Sequence, residues 1–344
     1  MAAISEHSFY NALALRYRAN YGALKKLRQR FSSWGKAYAA TRDRETPDPE
    51  EAFAELEKFG IQCILREDKI FPAQLLEISW PPFALYVRGQ LPKKWTPALA
   101  MVGTRKATPV GLRFAEQLAG DLARRGVIII SGLALGVDAA SQHGAIAGGG
   151  ITVAVLASGL DRITPQTNSR LGEQILQKGG AIISEYPIGT ESVPRLFLER
   201  NRIVSGLSQA ALIIEAPKRS GTLSTARFAI EQNRDVLVVP GGINNPNYEG
   251  SNELLKQGAQ LVTGISDVLQ TLGLDEQPEK ATMRFPFLDD PQQKIMAYLT
   301  ELGEPVHTDA LSDALKISGQ QISESLAMLT IMSIVKEEGG RYYI

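Results

Sequence analysis

The stretch Ala98-Leu99-Ala100-Met101-Val102-Gly103-Thr104-Arg105 sets the reading of the fold. Its apolar half runs without polar alternation, as in a strand covered on both faces. A glycine then opens a polar, basic turn. Thr108 can cap the next helix, Pro109 suits its first turn, and Gly126 closes it just past Arg125. The pattern recurs along the chain. Apolar runs at Val127–Ser131, Thr152–Leu156, Ala181–Ser184, Ala210–Glu215 and Val236–Val239 are mostly followed by helical stretches. Repeated strand–helix alternation predicts an α/β protein with a doubly wound parallel sheet.

Outward from this core the composition changes. Residues 1–59 read as helical, with Leu24, Leu27 and Phe31 at helical spacing and Thr46-Pro47-Asp48-Pro49-Glu50 opening the helix through Leu56. Residues 60–275 hold the sheet. Residues 276–288 read as a linker around Gln277-Pro278 and Pro286. Residues 289–344 offer helices at Gln292–Leu302, Thr308–Leu315 and Gly319–Met332. A hairpin of Ile334-Val335-Lys336 with Arg341-Tyr342-Tyr343 comes after them, a winged-helix pattern. A chain of 344 residues suits this two- or three-domain division.

Basic and acidic residues balance at 37 each, but unevenly along the chain. Met1 to Arg44 holds nine basic side chains against two acidic, a net of +7. Ala281 to Ile344 holds five against nine, a net of −4. A basic head can meet nucleic acid while an acidic tail meets protein, although both also suit solvated helix faces. The single cysteine, Cys63, lies in the apolar run Ile61–Leu65, reads as a core residue and excludes an internal disulfide. With no apolar signal core and no run long enough to span a membrane, the expected compartment is cytoplasmic.

Ligands of a parallel sheet bind beyond the carboxyl ends of its strands. The loops there begin with Gly103-Thr104-Arg105-Lys106, Ser131-Gly132, Ser158-Gly159, Tyr186-Pro187, Ser220-Gly221-Thr222 and Pro240-Gly241-Gly242. A glycine at any one of these turns needs no ligand. Together they expose backbone amides and helix N-termini to one edge, where an anion is favoured. Arg105, Lys106, Arg195, Arg200 and Arg202 add positive charge, and Phe197 can either stack a base or pack its helix onto the sheet. The dinucleotide string G-x-G-x-x-G and the ATP loop G-x-x-x-x-G-K-[ST] are both missing from these turns. His7, His143 and His307 are scattered and assemble neither a triad nor a metal cluster. Asp138 and Glu215, at strand ends, read as groups that cap helices or orient arginines, with acid–base work as the alternative. Amides and arginines without a nucleophile suit a phosphate backbone that is held and not cleaved, so the expectation is a binding protein and not an enzyme, with no cofactor and no metal.

Seven motifs occur in an order that resembles the DprA/Smf family. They are Val102-Gly103-Thr104-Arg105, Ser131-Gly132-Leu133-Ala134 with Gly136-Val137-Asp138, Ala154-Val155-Leu156 with Gly159-Leu160-Asp161, Ser184-Glu185-Tyr186-Pro187, Phe197 with Arg200-Asn201-Arg202-Ile203-Val204-Ser205-Gly206, Glu215-Ala216 with Ser220-Gly221-Thr222-Leu223, and Pro240-Gly241-Gly242. The likeness covers about Pro81 to Gly264. It implies a Rossmann-like domain that binds single-stranded DNA without sequence preference, a homodimer, recruitment of RecA recombinase onto the strand and its protection from nucleases, in natural transformation. It implies a SAM-like helical head and a winged-helix tail. Carried onto this chain, the family's basic pocket corresponds to Arg105 and the region Arg195 to Arg202, with Gly103, Thr104, Lys106, Ser131, Gly132, Phe197, Asn201, Ser220, Gly221, Thr222, Gly241 and Gly242 as the expected phosphate contacts. Leu198 stands where the family has proline, and Thr164-Pro165 where it often has Tyr-Pro. The stretch Gly319–Met332 has no Lys or Arg, so a protein-docking or regulatory tail is expected over one that reads duplex DNA. The alternative reading is a phosphoribohydrolase-like nucleotide enzyme on a related fold, but its Pro-Gly-Gly-x-Gly-Thr string is here broken up and reordered.

Overall fold

The computed structural model describes residues 4–274, 289–331 and 334–343, which fall into two compact units divided after residue 275. In the first unit, four helices lead: α1 (Glu6–Arg16), α2 (Tyr21–Arg30), α3 (Trp34–Thr41) and α4 (Pro49–Lys58). Each begins at a side-chain cap that the sequence supplies, Ser5, Asn20, Ser33 and Asp48. Gly22 lies inside α2, and the chain turns before it at Arg18 and Ala19. These two non-glycine residues both take left-handed backbone, with φ of 50° and 49°.

Nine strands form one sheet: β1 (Gln62–Leu65), β2 (Ala84–Gly89), β3 (Ala98–Val102), β4 (Ile128–Ser131), β5 (Thr152–Leu156), β6 (Ala181–Ser184), β7 (Ala210–Ile213), β8 (Asp235–Val238) and β9 (Gln260–Leu261). They lie side by side in the order β1-β2-β6-β5-β4-β3-β7-β8-β9. From β6 to β9 the neighbours are parallel. The expected parallel sheet needs correction at one edge, where β2 runs antiparallel to both β1 and β6. The chain steps outward from β3 through β4, β5 and β6, then returns to place β7 on the other side of β3. Leu99 is thus paired with Ile129 on one side and Ala210 on the other.

The connecting helices are α5 (Pro109–Arg124), α6 (Val137–Ala147), α7 (Ser169–Gln177), α8 (Pro194–Gly206), α9 (Thr222–Glu231), α10 (Glu249–Lys256) and α11 (Ile265–Thr271). They cover both faces. Ala98, Ala100 and Val102 of β3 enter one core with Ile203 and Val204 of α8 and Ala226 and Ala229 of α9. Leu99 and Met101, pointing the other way, meet Ala115, Leu118 and Leu122 of α5. Cys63 is buried in β1, as expected. It shares a third core in which Tyr10, Leu13, Leu24 and Leu56 of the leading helices meet Ala154, Leu156 and Ile182 of the sheet. The helical segment 1–59 and the sheet segment therefore form one compact body.

The second unit is built from α12 (Asp290–Leu302), β10 (Val306–His307), α13 (Thr308–Leu315), α14 (Gly319–Ile331), β11 (Lys336–Glu338) and β12 (Arg341–Tyr343). β12 lies between β10 and β11, with Lys336 opposite Tyr343. The expected hairpin forms, shifted toward Glu337 and Glu338 in its first strand. Ile295, Leu299, Leu311, Ile322, Leu326 and Val335 make its own core. The expected linker 276–288 and Met332 lie outside the described residues. No described helix is long and apolar enough to cross a membrane.

The helices α5 and α6 touch through their backbones. A Cβ added to Gly144 would lie 2.0 Å from the Glu116 carbonyl oxygen, and one on Gly148 would lie 2.4 Å from that of Gly120. The contact seats α6, whose first turn carries Asp138. Gly144→Ala is expected to lower the unfolding free energy by about 1–3 kcal/mol through overpacking. Gly242→Ala, where a Cβ meets open space, should stay within about 0.5 kcal/mol. Urea denaturation midpoints of the two variants check both values, and equal midpoints would contradict the close approach.

Candidate nucleic-acid interface

The strand order reverses between β3 and β7, and the loops leaving their carboxyl ends part there to opposite faces. Such a point leaves a crevice in open α/β sheets. Here it is a cleft of about 360 Å³. The turn after β3 supplies Gly103, Thr104, Arg105 and Lys106, and the loop after β7 supplies Pro217, Arg219, Ser220, Gly221 and Thr222. Helix α8 closes the cleft with Phe197, Leu198, Arg200 and Asn201, and Ala134 and Asp138 form its floor. The two loops are tied at the base, where the Thr104 amide donates to the Glu215 carbonyl at 2.7 Å. Gly136 makes room for that turn. Its φ is +81°, and a Cβ on it would lie 2.3 Å from the Thr104 carbonyl oxygen.

The expected Arg200-Asn201-Arg202 run does not act as one basic patch. Successive helix residues are turned by about 100°, so positions two apart point to nearly opposite sides. Arg200 is buried against the cleft floor. Its guanidinium donates to the Val155 carbonyl and packs where a Cβ on Gly132 would sit, 2.0 Å from Nη1. Its Nε is buried with no hydrogen-bond partner. Asn201 donates to the Gly221 carbonyl at 3.2 Å and to Ser224 Oγ at 2.8 Å, which fastens α8 to the start of α9. Arg202 faces away from the cleft and is 1% exposed. It donates to both Glu185 carboxylate oxygens at 2.7 Å, to the Trp80 carbonyl at 3.0 Å and to the Glu199 carbonyl at 3.0 Å. The Trp80 ring lies 4.3 Å from its guanidinium carbon. The expectation that Arg202 contacts a phosphate is corrected, because its guanidinium is buried away from the cleft with all three nitrogens bonded to protein groups.

Other expected contacts also fall outside the cleft. Arg195 pairs with Glu199 at 3.0 Å on the outer face of α8. Ser131 is buried and donates to the Met101 carbonyl at 2.7 Å. Gly241 accommodates the Tyr248 ring, 2.0 Å from where its Cβ would be. It and Gly242 are not among the residues lining the cleft. Gly132 instead lines a small apolar recess of about 100 Å³ beside the cleft, with Leu135, Leu156, Ala157 and Pro165. Arg105, Ala134 and Phe197 border both.

The charge that remains in the cleft is basic and accessible. Arg105, Lys106 and Arg219 are exposed, and among the described residues none has a carboxylate within ion-pair distance. The Arg105 guanidinium carbon lies 4.8 Å from the Phe197 ring centroid, and that of Arg200 lies 5.9 Å away. Phe197 is half-buried, packing beside Leu196 and Tyr186 while lining the cleft. Burial raises the Asp138 carboxyl above its ordinary range, opposed by Arg200 and by the Gly132 amide, which donates to it at 3.0 Å. Burial lowers the Arg200 guanidinium from its usual value, opposed by Asp138. Glu215, the other strand-end carboxylate, is fully buried. It accepts from the Thr108 amide at 3.0 Å, Tyr248 Oη at 3.0 Å and Asn247 Nδ2 at 2.9 Å. It thereby anchors the N-cap of α5. Sequence reasoning missed Arg219, Pro217 and Leu198. The Lys218-Arg219 pair just before Ser220-Gly221-Thr222 was the available signal for the first.

Comparison with known proteins identifies relatives of the chain. Residues 62–273 match the family model for DNA recombination-mediator protein A. Protein Smf of Escherichia coli K12 is 38% identical over 280 residues, covering 80% of this chain and 74% of its own length. Protein Smf of Synechocystis is 32% identical over 337 residues, covering 87% and 84%. The X-ray structure of DNA processing protein A from Streptococcus pneumoniae superposes with a TM-score of 0.59 at 30% identity, over 78% of this chain and 93% of that one. The Helicobacter pylori protein of the same name, whose single-stranded DNA binding mode that structure describes, gives 0.55 at 35% identity, over 61% and 95%.

The two arginines expected to share a role should separate on testing. Arg202→Ala leaves Glu185 buried and unpaired, and is expected to cost about 3–5 kcal/mol of stability. Arg105→Ala, at an exposed position, should stay within about 0.5 kcal/mol. Guanidinium denaturation of the two variants decides this, and a small effect at Arg202 would refute its anchoring role.

Proposed function

Because the chain belongs to the DNA recombination-mediator protein A family, the family of the DprA and Smf proteins, we propose that its switch-point cleft binds single-stranded DNA without sequence preference. The observation that carries this reading is the unpaired basic set Arg105, Lys106 and Arg219 around Phe197 and the start of α9. Phosphates take the two exposed arginines and the lysine. The helix N-terminus at Gly221-Thr222 adds a favourable dipole, and a Cβ at Gly221 would meet only open space, so a strand can approach the backbone there. The buried, unpartnered Arg200 Nε keeps a donor for a phosphate oxygen or a bridging water. A base stacks at Phe197, beside the apolar recess. None of these contacts reads a base edge, which is why all sequences should bind alike. Asp138 and Glu215 serve to position the turns, and the chain holds its strand without cutting it.

The reading extends to the family's wider role, transfer of incoming single strands to RecA recombinase by a homodimer in the cytoplasm, during transformation and recombination. We read the sheet as Rossmann-like, the four leading helices as SAM-like and the second unit as a winged helix. Three helices combined with the β10-β12-β11 sheet support the last of these. The described part of α14 carries no Lys or Arg, which suits a protein-docking tail better than one that reads duplex DNA.

Two substitutions test the cleft. Arg105→Ala should weaken every unstructured oligonucleotide alike, and should make the log–log salt dependence shallower by about 0.7. Phe197→Ala should cost about 1–3 kcal/mol of binding, or roughly 5- to 150-fold. Fluorescence anisotropy at several salt concentrations measures both. Unchanged affinity in both variants would remove the cleft from DNA binding.

A further inference from the structure

The turn between α1 and α2 is docked against the wall of the cleft. Ala19 is buried in a cluster with Ala157, Tyr186 and Leu196, and Phe197 packs against the same cluster. Ala157 and Phe197 are also walls of the recess beside the cleft. The turn holds this place at the expense of backbone ease, since Arg18 and Ala19 are consecutive non-glycine residues in left-handed conformation. Such strain persists only where the surroundings enforce it, and it collects at functional sites. Next to the buried Ala19 stands Arg18, exposed and without a carboxylate partner among the described residues.

Beyond the turn the basic character continues along one face. In α2 the exposed positions are Gly22, Lys25, Lys26, Gln29 and Arg30, at helical spacing and opposite the buried Leu24 and Leu27. The helix contains no acidic residue. Two other cations of the head are neutralised locally: Arg16 pairs with Asp43 and Glu45, and Arg28, on the flank of α2, reaches Glu67. Lys25, Lys26 and Arg30 have no such partner among the described residues. The stripe is about 15 Å long and begins at the turn that abuts the cleft.

We propose that a single strand held in the cleft passes over the Arg18-Ala19 turn and continues along the Lys25, Lys26 and Arg30 face of α2, so that the leading helices form a second phosphate track for the same strand. This rests on the reading of the cleft as a single-strand site. It gives the helical head a direct part in binding, and it makes affinity grow with strand length within one protomer.

The test uses the full chain and two oligothymidylates, one of about six nucleotides for the cleft alone and one of about thirty that can occupy both tracks. The variant carries Lys25→Gln, Lys26→Gln and Arg30→Gln, at exposed positions outside the cores. It should bind the short strand as the unmodified protein does. With the long strand it should lose about tenfold in affinity at low salt, and its log–log salt slope should be shallower by about 2. Arg18→Gln alone should remove about 0.7 of that slope. A long-strand slope unchanged in both variants overturns the second track, and so does equal weakening of the short and long strands. If the unmodified chain binds neither strand, the reading of the cleft itself has failed. Short-strand binding weakened by Arg105→Ala and kept by the α2 variant, together with the α2 variant's loss on the long strand, supports two separate tracks.

Discussion

The buried pair of Arg202 and Glu185 is the contact on which the arrangement of this molecule turns. Burying two charges costs several kcal/mol each, and their attraction offsets that cost only when the remaining hydrogen-bonding capacity is filled. Here it is filled. One terminal nitrogen meets the carboxylate, the other meets Glu199 on the same helix, and Nε meets the Trp80 carbonyl on the segment leading to β2. The pair therefore joins the loop after β6, helix α8 and the antiparallel edge of the sheet. Trp80 extends the contact outward, for its ring stacks on Arg202 and meets Tyr21 edge-on at 5.2 Å. Tyr21 is the first residue of α2. One guanidinium thus holds the rotation of α8 and the position of the leading helices together.

Fixing that rotation decides what the cleft contains. With Arg202 locked behind the helix, Phe197, Arg200 and Asn201 must face the loops after β3 and β7. Arg200 is held just beneath the surface, where Asp138 and the Val155 carbonyl stabilise it. Asn201 is spent on the start of α9. The residues free to meet a ligand are the ones outside these networks, Arg105, Lys106 and Arg219. A buried, hydrogen-bonded layer beneath an exposed, charged one suits a polymer that must be held in many sequences and released.

The parts of this design that were legible in the sequence are the local ones. Unbroken apolar runs marked six parallel strands to within a residue or two, and Thr108 with Pro109 marked the start of α5. The glycine turns at Gly103 and Gly221 were found because strand ends in a parallel sheet share an edge. What the sequence hid depends on rotation and on distant pairing. Arg200 and Arg202 look like neighbours in a line, and only the helix sends them to opposite sides. The edge strands β1 and β2 pair across about twenty residues that carry little regular structure, so neither showed the strand–helix rhythm. Glycines expected to cradle phosphates at Gly241 turned out to make room for Tyr248, because an absent Cβ serves a neighbouring ring as readily as a ligand.

Net charge shows the same limit from the other direction. Balanced charges over the whole chain argue, taken alone, against a polyanionic ligand. Binding depends on the local field, and the carboxylates here are mostly committed elsewhere. Glu185 is used by Arg202, Glu215 by the cap of α5, Asp43 by Arg16 and Glu199 by Arg195. Three of these acids are offset by a base, whereas Glu215 is held by neutral donors and keeps its charge beneath the turn. Arg219, Arg105, Arg18, Lys25, Lys26 and Arg30 are left exposed, with no carboxylate within ion-pair distance among the described residues. A chain of balanced charge can still offer a basic face, by placing acids where they hold the fold and leaving bases exposed at the cleft edge.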